Sequence, residues 1–239
     1  MKNLPLENRF IYCLAGTGPS FGTGHLRRMN VLNGMLNSSG LKSKSVIQEN
    51  EIDINPAVII FDRRDEPLTP GILKIQESSV AVVAIDNRGK GRDQAGWIYD
   101  TLPHPDMNHD ELNIAIGRIL LSPFFTERAS MAREARLYYI QEDDIQDGEK
   151  TLLHMPGIEI DQFQEKLLRS DKVFTYFGQT LFEAIYCGKE VYLYGMNTYH
   201  RYLAEWFSNF WNQNQPGLYF DGKGYEKLIQ YIELLVKRP

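Results

Sequence analysis

Gly16-Thr17-Gly18-Pro19-Ser20-Phe21-Gly22-Thr23-Gly24-His25-Leu26-Arg27-Arg28 joins an all-apolar run, Phe10 to Leu14, to a segment with helical spacing. That is the signature of a buried strand, a glycine turn and a helix. The glycines permit a sharp turn and a close approach of backbone to ligand, and a helix opening near Thr23 aims unpaired N–H groups at an anion. His25 then falls in the first turn beside that ligand. There the positive end of the helix favours the neutral imidazole, the form that takes a proton from water. Arg28, one turn on, is placed to meet phosphate charge. The plainer alternatives are a structural histidine and an exposed helical arginine.

Working outward, Leu26, Met29, Leu32, Met35 and Leu36 continue the helix, and Asn37 to Gly40 closes it. Ser45 to Gln48 reads as a weak strand and Ala57 to Phe61 as a strong one, followed at once by Asp62. Thr69-Pro70 opens a helix to about Glu77. Val80 to Ile85 is the next buried strand, ending in Asp86, and Gly96 to Asp100 reads as another. Strand and helix alternating in this way predict a parallel sheet with helices on both faces, with ligands beyond the carboxyl ends of the strands. The glycine loop, Asp62 and Asp86 all fall at such ends. Turn chemistry alone also places Asp there.

Residues 104 to 126 read as a connection containing an amphipathic stretch, Leu112 to Leu121. Strands are predicted at Leu137–Ile140, Thr151–Met155, Asp171–Tyr176 and Glu190–Tyr194. Helices are predicted over Ile160–Leu168, from Thr180 to Gly188, over Tyr199–Phe210 and over Tyr225–Val236. The chain thus divides into an N-terminal Rossmann-like domain, 1–121, and a smaller one, 122–239. Gly178-x-Thr180-x-x-Glu183 has two readings. One is a capping box closed by Gly188. The other is a phosphate-approach glycine with Glu183 turned out toward a ribose.

The chain has 239 residues, 43% of them apolar, and a net charge of -5, which gives no support for a nucleic-acid partner. No apolar stretch approaches the ~20 residues of a membrane span. The N-terminus lacks the apolar core of a signal peptide, so the expected location is cytoplasmic. Cys13 and Cys187 sit in apolar patterns and read as core thiols. No metal-ligand spacing occurs, and no cofactor is implied.

Together these motifs resemble those of the pseudaminic-acid-pathway UDP-sugar hydrolases and their spore-coat polysaccharide relatives. Gly22-x-Gly24-His25-x-x-Arg28 is similar to their Gly-x-Gly-His-x-x-Arg motif. Asp62 and Asp86 follow strands in that family's order, and Ser170 to Gly188, with Asn197 beyond, is similar to its second motif. The resemblance implies an α/β, GT-B-like fold of two Rossmann-type domains facing across a cleft. It implies a nucleotide-sugar substrate in surface glycan or nonulosonic acid biosynthesis. His25 would activate water, Gly22, Gly24, Arg28, Asp62 and Asp86 would hold the sugar side, and Gly178, Thr180, Glu183 and Asn197 the nucleotide. Where the family carries a glycine-rich phosphate loop, this chain has Gln141-Glu142-Asp143-Asp144. Two alternatives stand beside the hydrolase: a non-catalytic descendant that binds a sugar or partner, and a glycosyltransferase. Oligomeric state is not legible.

Overall fold

The computed structural model describes residues 9–16, 24–53, 55–63, 65–129, 135–146, 148–155, 162–214 and 220–237. Residues 17–23, with Gly18, Gly22 and Thr23, lie outside them. The chain forms two compact units, each built on an all-parallel sheet with helices packed against it.

The first unit strings β1 (Ile11–Ala15), α1 (Gly24–Ser38), β2 (Ser43–Val46), β3 (Val58–Asp62), α2 (Pro70–Glu77), β4 (Ala81–Ile85), α3 (Lys90–Gln94) and β5 (Trp97–Tyr99). Its strand order is β2-β1-β3-β4-β5. Every residue of β1 and β3 is buried, as a strand covered on both faces requires. Alternate residues Tyr12, Leu14, Ile59, Phe61 and Val82 pack with Leu68 and Ile72 in one core cluster. Connections to β2 run one way along the sheet and those to β4 and β5 the other. Right-handed crossovers therefore put α1 and α2 on opposite faces. Thr69 caps α2 by accepting the Ile72 N–H, with Pro70 in the first turn, as its sequence predicts.

The second unit, Leu102 to Gly224, contains α4 (His109–Ile116), α5 (Pro123–Thr126), β6 (Leu137–Tyr139), β7 (Thr151–Leu153), α6 (Phe163–Arg169), β8 (Lys172–Thr175), α7 (Gln179–Tyr186), β9 (Glu190–Leu193) and α8 (Thr198–Asn214). Its order is β6-β9-β8-β7. The core gathers Leu137, Val173, Val191 and Leu193 against Leu167, Leu181, Ile185 and Phe207. Phe207 meets the rings of Phe177, Phe182 and Trp211 at 5.3 to 5.9 Å. The predicted stretch from Leu112 begins earlier, at His109. The Asn108 side chain accepts the Asp110 and Glu111 N–H groups, and Glu111 reaches back to the Asn108 N–H.

The last helix, α9 (Gly224–Val236), leaves the second unit. From Tyr225 onward the chain belongs to the first. The Tyr225 hydroxyl donates to the Arg28 carbonyl of α1 at 3.2 Å, and the Tyr231 ring packs on Trp97 and Tyr99 of β5. The sequence placed the divide at 121/122; the compact units part after Thr101, and the final helix rejoins the first sheet. No helix among the described residues is long and apolar enough to cross a membrane.

Candidate functional site

The order β2-β1-β3 means that the chain leaves β1 for one side of the sheet and enters β3 on the other. Ligands of open parallel sheets bind at such a reversal, beyond the carboxyl ends. At this point the structure assembles four of the residues that the sequence nominates. Ala15 and Asp62 end β1 and β3 in register, and the Gly16 N–H donates to the Asp62 carbonyl at 2.9 Å. His25 and Arg28, three apart on α1, share a helix face. Asp86 follows β4, the next strand over.

The four side chains form one buried network. His25 Nδ1 lies 2.7 Å from Asp62 Oδ1. Arg28 grips Asp62 with two nitrogens, Nε at 2.5 Å from Oδ2 and Nη2 on Oδ1. Its Nη1 reaches Asp86 Oδ2 at 2.9 Å. Asp62 is 0% exposed, Arg28 5% and His25 8%. Burial alone would favour the neutral acid at Asp62, but the Arg28 guanidinium first, and then the hydrogen-bonded His25, hold its carboxyl well below the usual range. Burial likewise works against the Arg28 cation, and the two carboxylates outweigh it, raising its pKa. Burial and then the nearby Asp62 charge push the Cys13 thiol up, so it stays protonated and is no nucleophile.

Since a carboxylate only accepts, Nδ1 carries the proton in neutral His25, and Nε2 is then the basic nitrogen. The arrangement is an oriented base of the kind used for proton abstraction. Arg28, which the sequence places to meet phosphate charge, holds its guanidinium against two carboxylates, Asp62 and Asp86, and so balances their charge.

Thr101 is a member that the sequence did not reveal. It follows β5, and both its N–H and its hydroxyl donate to Asp86, at 2.6 and 2.5 Å. Asp86 sits at φ 50°, a left-handed conformation uncommon for a residue with a side chain, and these bonds hold it there. Replacing Thr101 with valine removes one bond to a charged acceptor and is expected to cost about 1.5–3 kcal/mol in a denaturant titration.

In the second unit, Gly178 precedes α7 as its N-terminal cap residue, with no side-chain cap. The capping box read into Thr180 and Glu183 is therefore absent. The helix starts two residues earlier than that reading requires, so both residues fall inside it, at 5% and 1% exposure. Gly188 does close the helix, at φ 70°, with its N–H on Ile185 and that of Lys189 on Ala184. Asn197 caps α8, its Oδ1 accepting the His200 N–H at 2.9 Å. Gly24 opens α1, and Gly22 lies outside the described residues. Among the described residues no group of three His, Cys, Asp or Glu is placed to hold a metal.

Fold and site together define an α/β protein of two parallel-sheet, Rossmann-like units, the first carrying a His–Asp–Arg–Asp network at a strand reversal. Compared with known proteins, the chain matches no family model, no curated protein and no solved structure.

Proposed function

We propose that this chain is a GT-B-like enzyme acting on a nucleotide-sugar, most simply a UDP-sugar hydrolase of surface glycan biosynthesis. The observation that carries this reading is the His25–Asp62 pair at the reversal between β1 and β3. Asp62 orients the ring. Nε2 takes a proton from water as the water oxygen bonds to the anomeric carbon, and the bond from that carbon to the diphosphate breaks, so UDP departs with the electron pair. Gly178 and the first turn of α7 are assigned to the diphosphate. Thr180 and Glu183, both buried, are assigned to shaping that helix, and Asn197 to capping α8.

Purified protein mixed with UDP-, CMP- and GDP-sugars should show a thermal shift and release of nucleotide with at least one of them. Neither response across the panel would end this reading. Gly178→Ala sharpens the test. A Cβ there meets its nearest neighbour, the Tyr176 ring, at 3.7 Å, an ordinary contact. Stability should therefore change by less than about 0.5 kcal/mol, while nucleotide affinity falls.

A second reading, a non-catalytic descendant that binds a sugar or partner, is favoured by the glycine-free, acidic Gln141–Asp144 segment after β6. Turnover that disappears in His25→Ala would eliminate it. A glycosyltransferase would differ only in passing the sugar to an acceptor hydroxyl, which product analysis with a labelled sugar donor separates from hydrolysis.

A further inference from the structure

Among the described residues, helices cover the second unit's sheet on one face only. Leu137, Val173 and Val191 point to that face, in the core with α5 to α8. The residues that alternate with them point the other way. In the strand register Tyr138 pairs with Tyr192, and Tyr192 with Phe174. Their rings stack across three strands with centroids 5.2 and 4.7 Å apart. A crossover helix between β6 and β7 would ordinarily close such a face. Here the described part of that connection holds only a single 3-10 turn, Glu142–Asp144.

Between the connection and the aromatic row lies a cavity of about 440 Å³, whose lining includes Ile140, Phe174, Tyr192, Asp144, Glu149 and Lys172. Five of the nine residues 142–150 are acidic and one is basic, in a chain whose whole net charge is -5. Lys150 is drawn off to Asp171 at 3.5 Å, and Lys172 lies over the Tyr192 ring at 5.7 Å. Of those acids Asp144 and Glu149 line the cavity, and among the described residues no group of three acids, histidines or cysteines is placed to hold a metal. Lys172 opens β8 while Gly178 follows its end, so this face is separate from the start of α7.

We propose that this face binds a cationic peptide segment, with an arginine or lysine side chain entering the cavity. The apolar stem of such a side chain lies against Phe174 and Tyr192, and its charge meets Asp144 and Glu149. The cavity volume suits one or two long side chains. A neutral sugar would leave the carboxylates without a counter-charge, and a nucleic acid would be repelled.

Labelled hexa-arginine titrated into the full chain tests this by fluorescence anisotropy, with aromatic NMR shifts reporting on Phe174 and Tyr192. Asp144→Asn with Glu149→Gln, both at exposed positions, should weaken binding roughly tenfold. Glu77→Gln with Asp93→Asn, which removes equal charge from the first unit's surface, should leave it unchanged. The proposal is overturned by absence of binding, by equal weakening in the two double variants, by unmoved Phe174 and Tyr192 signals, or by a neutral oligosaccharide shifting those signals in place of the peptide.

Discussion

Substituting Arg28 with methionine is expected to destabilise the first unit by about 3–5 kcal/mol, the cost of removing one partner from a buried ion cluster. Methionine keeps much of the volume, so the penalty is electrostatic. Asp62, with no exposed surface, loses both bonds to Arg28 and keeps the one to His25, and Asp86 loses its bond to Arg28 and keeps Thr101. The effect carries a pH signature. A carboxyl whose native pKa is lowered stabilises the fold fully above its unfolded value of about 4 and loses that contribution as pH falls below it. Asp62 is such a group in the wild type, and without Arg28 most of the lowering goes. The gap between wild type and variant should therefore be widest at neutral pH and narrow in acid. Urea unfolding across pH, with the first unit followed through Trp97, measures it. Equal midpoints at neutral pH, or a gap that grows in acid, would refute the account.

His25→Ala is expected to lower turnover by on the order of 10²- to 10⁴-fold, the range for loss of a general base. The fold should survive, because Asp62 keeps both of its bonds to Arg28. His25→Gln is the more discriminating variant. An amide can still donate to Asp62, but it has no basic nitrogen, so stability should hold while turnover is lost. Substantial turnover in His25→Gln would place the base elsewhere. The measurement is single-turnover nucleotide release beside a thermal melt of each variant.

Strands were the most legible part of this chain. Val58 to Phe61 and Val80 to Ile85 are apolar at every position because a parallel strand here is covered on both sides, and a polar residue marks where each emerges. Those same marks located Asp62 and Asp86. What they meet was not legible, since strand order depends on pairings between distant segments. Arg28 read as a phosphate-meeting residue or an exposed cation because helical periodicity gives its face but not what lies opposite. A Thr-x-x-Glu pattern fits a helix start at Thr180 as well as one two turn residues earlier, and Gly178 chose the second. A capping box does form at Asn108 with Glu111, with the same spacing, ahead of the apolar periodicity that starts at Leu112. Helix α9 shows a clear amphipathic pattern, yet amphipathicity states only that a face is buried, not against which sheet.

That last helix has a consequence for how the protein comes into being. Tyr225 anchors on Arg28 and Tyr231 on Trp97 and Tyr99, yet nearly the whole second unit is synthesised between those partners. On the ribosome, the sheet that carries the His25 network emerges first and gains α9 only after Leu102 to Gly224, a stretch long enough to assemble its own sheet, has been made. The unit that is translated second is the one able to finish first.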